Sequence, residues 1–121
     1  MTGILEFIHQ TLEETGIPYE YGEWTSPVQY PYFVGSFEET DYRFEDNCTE
    51  GTFTLDGWTR GPRLALSEAA DKIQDAFADL QRVVGDRCFY VRFGGVNSVP
   101  TSDAGLFRIT VTLYTSEWKG A

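Results

Sequence analysis

The stretch "GTFTLDGWTRG", residues 51–61, decides how the two halves of this chain join. Up to Leu55 its threonines alternate with Phe53 and Leu55, which is typical of a strand with one buried face. Asp56-Gly57 follows, and Asp-Gly is a dipeptide that often folds a strand back into a hairpin. The stretch therefore allows either a hairpin at Gly57 or a strand that continues through it.

The residues after Trp58 favour the continuing strand. No returning strand follows, because Thr59-Arg60-Gly61-Pro62 leads directly into a helical pattern. We therefore expect the strand to run through Gly57, with or without a bulge, and to turn at 60–62. On this interpretation Trp58 holds the strand end near the helix that crosses the sheet, and Asp56 is a solvent-facing or bulge-stabilising side chain.

Two segments have the apolar periodicity of helices. In "TGILEFIHQTLEETGIP", Thr2 is a plausible N-cap, Gly16 a C-cap, and Pro18 prevents continuation. A second stripe predicts a helix over roughly 62–84 that ends at Gly85, because its apolar residues recur at spacings of three and four. The two apolar sets are Ile4, Leu5, Ile8 and Leu12, and Leu66, Ala70, Ile73, Phe77, Leu80 and Val84.

The remaining segments are predicted to be strands and turns. Residues 17–24 suit a short strand or extended arm, and 29–39 form an extended run whose Pro31 places its start at a sheet edge or outside the sheet. Residues 87–93 form a strand that Gly94-Gly95 interrupts, "NSVPTSDAG" is a loop, and 106–118 form the last strand. We expect one α+β domain over 1–121, with two helices on one face of a mostly antiparallel sheet of about four strands and an N-terminal aromatic-rich arm or hairpin.

The composition fits one small domain. The chain has 121 residues and is 41% apolar, which is enough for one core. No apolar run approaches the roughly 20 residues that span a bilayer, and the N-terminus lacks the pattern of an export signal. We therefore expect a soluble protein without a membrane partner. Cys48 and Cys88 have no metal-site spacing and are interpreted as reduced structural thiols.

The charge is unevenly distributed along the sequence. Residues 1–50 contain eleven acidic side chains and one basic one, whereas residues 51–121 contain eight of each. Such an acidic segment argues against a phosphate-binding surface there, because affinity for nucleic acids comes largely from Lys and Arg. It suits either a surface that repels polyanions or one that only keeps the protein soluble.

The sequence contains no recognisable catalytic or metal-binding motif. Its one histidine, His9, lies on the first predicted helix without a nucleophile motif beside it. "FGG" at 93–95 lacks the other features of a phosphate loop, and 41–51 fail the calcium-loop pattern at Arg43 and Asp46. We expect no catalytic, metal or cofactor site, and interpret the chain as an interaction or assembly protein rather than an enzyme.

Three segments together resemble a family of small proteins from tailed phages and prophages, the tail terminator or tail completion proteins. They are "YPYFVGSFEETDYRFEDNCTEGTFTLDGWTRG", "LALSEAADKIQDAF" and "NSVPTSDAGLFRITVTLYTSEW". The resemblance covers roughly residues 28–118. It lies in the order of a Thr/apolar strand, an aromatic-Thr-Arg-Gly turn, an amphipathic helix, a Val-Pro-Thr loop and a last strand that ends at Trp118.

The resemblance implies a virion component, assembled in the host bacterial cytoplasm, that caps the tail tube as a hexameric ring and joins the tail to the head connector. Its partners would be further copies of itself, the tail tube protein and the head-connector protein. DNA would pass through the ring without sequence-specific binding. A lumen lined by carboxylates would then repel phosphates, which makes Glu38, Glu39, Asp41 and Asp46 candidates for the lumen or the ring face.

Other residues are candidates for contacts between subunits or with partners. Arg60 and Arg63 are candidates to pair with the acidic segment 36–50 of a neighbouring copy, although they equally suit a solvated helix start. Trp58 is a third candidate, and Tyr30 and Tyr32 are candidate aromatic anchors.

Alternative functions stay open. They are another head–tail connector or minor tail component and, in a different class, a small-molecule-binding domain or an adaptor that recruits a strand at the edge containing Pro31.

Overall fold

A computed structural model describes residues 2–43 and 48–119, which form two helices and a sheet. The elements are α1 (Thr2–Thr15), β1 (Tyr19–Tyr21), β2 (Tyr32–Arg43), β3 (Cys48–Arg60), α2 (Leu64–Phe77), β4 (Leu80–Val84), β5 (Arg87–Val99) and β6 (Leu106–Lys119). The strand order is β1-β2-β3-β6-β5-β4, and every pair is antiparallel except β1 with β2. The predicted α+β class is confirmed.

Two details of the predicted sheet were wrong. The described sheet has six strands rather than about four. Residues 19–21 are the short strand that was one alternative for 17–24 rather than an arm or hairpin, because β1 lies parallel to β2 as the first strand of the sheet. A backbone hydrogen bond of 2.9 Å from Phe33 N to Pro18 O links the residue before β1 to β2. β1 therefore occupies the edge next to Pro31, where an adaptor was expected to recruit a partner strand.

β3 runs through Gly57, as the stretch 51–61 predicted. It pairs with β6 from Cys48 to Arg60 without a register shift, so there is no hairpin or bulge at Asp56-Gly57. Gly57 is needed there because the ring of Phe33, on β2, lies across it. A Cβ atom at Gly57 would come 2.3 Å from Phe33 Cε2.

The core lies between the two helices and one face of the sheet. α1 extends over the predicted range, and Gly16 follows it with a φ of 75°. Odd-numbered residues of β3 and β6 point to the helices, in agreement with the predicted alternation of the last strand. The fully buried side chains include Ile4, Ile8 and Leu12 of α1, Leu66, Ile73 and Phe77 of α2, and Phe33, Phe53, Leu55, Val91, Val111 and Leu113 of the sheet.

The predicted length of the second helix was wrong. α2 ends at Phe77, Asp79 takes a φ of 51°, and β4 begins at Leu80. Leu80 and Val84 suit both periods, because positions four apart share one face of a helix and also one face of a strand. Pairing with β5 gives residues 80–84 a hydrogen-bonded neighbour, so the strand forms.

The predicted interruption at Gly94-Gly95 was also wrong. β5 continues to Val99, with a register shift between Phe93 and Gly95 that marks a bulge. Gly95 has a φ of 132°, which glycine adopts without strain. The bulge therefore absorbs the two glycines, and the loop before β6 starts at Pro100 rather than at Asn97. Neither described helix is long and apolar enough to cross a membrane.

Candidate interaction surfaces

The face of the sheet that points away from the helices has a row of stacked aromatic rings. Trp24 and Tyr32 have their ring centroids 4.9 Å apart, and Tyr30 lies 5.8 Å from Tyr32. Tyr32 stacks on Trp58 at 5.3 Å, and the Arg108 guanidinium lies 5.2 Å from the Trp58 ring centroid. These five side chains form the open-face cluster, which extends from the 22–31 loop across β2 and β3 to β6.

Asp56 supports the basic end of this cluster. Its Oδ1 accepts hydrogen bonds from the Arg108 guanidinium at 3.0 Å and from Thr110 Oγ1 at 2.7 Å. The Asp56 and Arg108 side chains are 26% and 35% exposed, so solvent screens the ion pair only in part. Asp56 is therefore neither a turn residue nor a bulge residue, but the group that holds Arg108 beneath Trp58.

The position expected for Trp58 was wrong. Side chains alternate between the faces of a strand, and odd-numbered residues of β3 point to the helices. Trp58 consequently lies on the opposite face from α2 and stacks with the open-face cluster. The alternation in the sequence already put Arg108 and Thr110 on the face opposite Ile109. It could not show that β3 and β6 are neighbours, so it missed the contact between Asp56 and Arg108.

The two candidate arginines both have partners within their own chain. Arg60 forms an exposed ion pair with Asp103 in the loop before β6. Hydrogen bonding to Asp103 raises the pKa of Arg60, with a smaller contribution from Tyr30, and the same bond lowers the pKa of Asp103. Arg63 precedes α2, and its guanidinium lies 5.2 Å from the ring centroid of Phe107.

The acidic candidates lie towards the other end of β2. Glu38 and Glu39 are exposed, and Asp41 belongs to β2, although its side chain is outside the described part. Asp46 lies outside the described residues. Glu38 pairs with Thr52, six residues along β3 from Trp58, which corresponds to about 20 Å at 3.3 Å per residue. The open-face cluster and the acidic segment are thus separate surfaces of the same sheet.

His9 is half-buried between α1 and β1 rather than fully exposed. Its ring lies 5.4 Å from that of Tyr19 and 5.6 Å from that of Tyr21. Burial lowers the pKa of His9, while the nearby carboxylates of Glu13 and Glu6 oppose this shift. Burial also raises the pKa of Tyr19. Nε2 of His9 is buried without a hydrogen-bond partner among the described residues, and the ring packs against Tyr19 and Tyr21.

A groove beside the start of α2 is another feature of the described surface. A groove of about 350 Å³ lies between the start of α2 and the 100–105 loop, with Arg63, Phe107 and Arg108 in its lining. Within residues 2–43 and 48–119, no three or more His, Cys, Asp or Glu side chains are grouped to hold a metal ion. Neither Cys48 nor Cys88 forms a disulfide bond within the described residues.

Comparison with models of known protein families finds no match, and no curated protein is similar in sequence.

Proposed function

We propose that this protein is a phage tail terminator, which caps the tail tube as a ring, joins the tail to the head connector and lets DNA pass. The resemblance of residues 28–118 to that family motivates the proposal. The observation that best supports it is the separation of two surfaces, because a ring of this kind must bind protein at one surface and avoid binding DNA at another.

The open-face cluster suits the protein-binding surface. Aromatic and arginine side chains dominate the energetics of many protein interfaces, and Tyr and Trp rings bury a large area at a low cost in conformational entropy. Tyr30 is 42% exposed at the rim of this cluster. We assign the contact with the tail tube to this surface.

The acidic half of β2 suits the DNA-facing surface. Glu38, Glu39 and Asp41 lie within four consecutive residues of one strand. Repulsion between carboxylates and phosphates is screened beyond about 8 Å at physiological salt, so it acts only on DNA close to the wall. Such a wall would keep DNA from adhering while it moves through the ring.

The decisive experiment measures capping of tail tubes. Tubes assembled from the tail tube protein of the same gene cluster are mixed with this protein and imaged by negative-stain electron microscopy, while light scattering follows tube growth. We expect a density at one end of each tube and an arrest of growth. A wild-type protein that neither binds tube ends nor stops their growth would refute the proposal, whereas binding only to the head connector would indicate another connector component.

Two exposed side chains on opposite sides of the sheet test the assignment of the surface. Tyr30→Ala should weaken capping about tenfold or more, as expected when an interface anchor is truncated. Leu64→Ala is the control, because Leu64 is 64% exposed at the start of α2, on the helix side of the sheet and away from the cluster. Equal capping by the two variants would argue against the open-face cluster as the contact surface.

A further inference from the structure

At each outer edge of the sheet, a short strand covers only part of its longer neighbour, and we call this a stepped edge. On one side β1 covers only Phe33–Gly35 of β2, so no described strand pairs with the outer edge of residues 36–43. On the other side β4 covers only Arg87–Val91 of β5, so no described strand pairs with the outer edge of residues 92–99. Unpaired edges of this length are sites where a further strand can add.

The steps lie at complementary heights on the sheet. Tyr21 of β1 belongs to the cross-strand row that passes through Gly35, Leu55 and Val111 and ends at Val96 of β5. The short strand on one side therefore lies level with the uncovered part of β5 on the other.

The second short strand obeys the same relation. Leu80, the first residue of β4, belongs to the row that passes through Val91, Thr115 and Gly51 and ends at Glu39 of β2. β4 therefore starts level with the uncovered part of β2.

We propose that a second copy of this chain docks edge to edge, so that β1 of one copy and β4 of the next occupy one strand position end to end. β1 then pairs with residues 96–98 of the neighbouring β5. Residues 80–82 of the neighbouring β4 lie opposite residues 39–43 of β2, where a register shift gives β2 extra residues. The contact deepens and rests on the proposed function, since it names the contact between ring subunits. Because it joins two different edges, it is head-to-tail, which is the kind of interface that generates rings.

The charges of the two edges are complementary. Glu38 and Arg92 lie on one row, through Thr52 and Tyr114, and both point to the open face. In the proposed contact they face each other across the gap between β1 and the neighbouring β4, so Glu38 belongs to the contact between subunits and the DNA-facing surface relies on Glu39 and Asp41. The distance is two strand spacings, or about 10 Å between backbones, which these side chains can span. Within the part of the chain that the structure describes, Arg92 contacts the Tyr114 ring at 4.7 Å and has no carboxylate partner.

Disulfide trapping tests the register directly. Tyr21 and Val96 are 43% and 42% exposed and lie on the helix-facing side of the sheet. In the proposed contact they are directly opposite, with Cβ atoms about 5 Å apart, within disulfide range. Within one chain three other strands lie between β1 and β5, so a disulfide between these two positions is expected only between copies.

The Tyr21→Cys/Val96→Cys variant is oxidised alone at high concentration and also on tail tubes, and its products are separated on non-reducing gels. We expect a ladder of cross-linked species at least tenfold stronger than for Tyr21→Cys/Asn97→Cys, whose second cysteine points to the opposite face. Single-cysteine variants measure the background from Cys48 and Cys88. Equal cross-linking of the matched and mismatched pairs in both settings would overturn the proposal.

A charge exchange supplies an independent test that leaves β1 intact. Glu38→Arg and Arg92→Glu should each weaken self-association by about tenfold, as measured by sedimentation velocity. If free copies of the wild type stay monomeric, the same loss is measured as cross-linking on tubes. The double variant should restore the association. No restoration would count against the contact. Capping by the wild type is scored separately. Capping by the wild type without cross-linking of the Tyr21→Cys/Val96→Cys pair would refute the edge contact alone. Cross-linking of that pair without capping would refute the proposed function alone.

Discussion

A methyl group at Gly57 is the most informative single change to the core. In Gly57→Ala the new Cβ would lie 2.3 Å from Phe33 Cε2 and 2.6 Å from its Cζ. The shortest ordinary contact of a Cβ is 3.4 Å, so the ring must move by about 1 Å. Phe33 is fully buried, and its ring therefore has to move into packed neighbours.

The expected cost follows from two opposing effects. Overpacking of a core costs about 1–3 kcal/mol, whereas replacing glycine by alanine restricts the unfolded chain and stabilises by about 0.4–1 kcal/mol. We expect a net loss of about 1–2 kcal/mol in the free energy of unfolding. For a domain of this size that corresponds to a fall in Tm of roughly 3–10 °C.

Urea titration followed by tryptophan fluorescence measures this loss, and a double-mutant cycle assigns it. In a Phe33→Leu background the ring is absent, so Gly57→Ala should cost nothing or stabilise slightly. Gly105→Ala is the control, because a Cβ there meets only Arg60 and Asp103 side-chain atoms, at 3.5 Å and 3.7 Å. Additivity of Gly57→Ala and Phe33→Leu within about 0.5 kcal/mol would refute the role assigned to the ring.

Three further changes test the surfaces. Burial lowers the pKa of His9, so the unfolded chain binds its proton more readily, and stability should fall as the pH drops below the unfolded value of about 6.5. His9→Gln should reduce this pH dependence in urea titrations at pH 7.5 and 5.5, and an unchanged dependence would contradict it. Asp56→Ala leaves Arg108 without its acceptor and should lower the free energy of unfolding in urea by about 1–3 kcal/mol. The control Asp71→Ala, at an exposed position, should lower it by less than about 0.5 kcal/mol. Equal losses for the two variants would contradict the contact. Arg60→Ala removes only an exposed ion pair, so the midpoint of urea unfolding should hardly change. A loss of tube capping by this variant would then reflect weaker binding rather than unfolding. A large shift in the midpoint would contradict this account.

Local patterns predicted most of the elements. The stripe of α1 and its Gly16 ending specified that helix, and strict alternation specified which residues of β6 face the core. The stretch 51–61 ruled out its own hairpin, because a helix pattern rather than a strand followed the turn. In each case the information lies within about fifteen residues, where side-chain period and turn chemistry act directly.

Longer-range choices were predicted less well. The stripe of the second helix continued through Leu80 and Val84, yet pairing with β5 drew those residues into a strand. Gly94-Gly95 was predicted to interrupt the strand, yet β5 pairs with β6 on both sides of its bulge. The parallel pairing of β1 with β2 likewise depends on a contact that no local pattern contains.

The candidate surfaces divide in the same way. The sequence by itself determined the acidic character of residues 1–50, the period that sends Arg108 and Thr110 to the face opposite Ile109, and the absence of any recognisable catalytic motif. Only the tertiary structure decided that Trp58, Arg108 and Asp56 meet, that Arg60 pairs with Asp103, and that the sheet ends in two stepped edges. The physical reason is that strand order and register are set by pairing between distant segments, whereas charge and periodicity are properties of each segment alone.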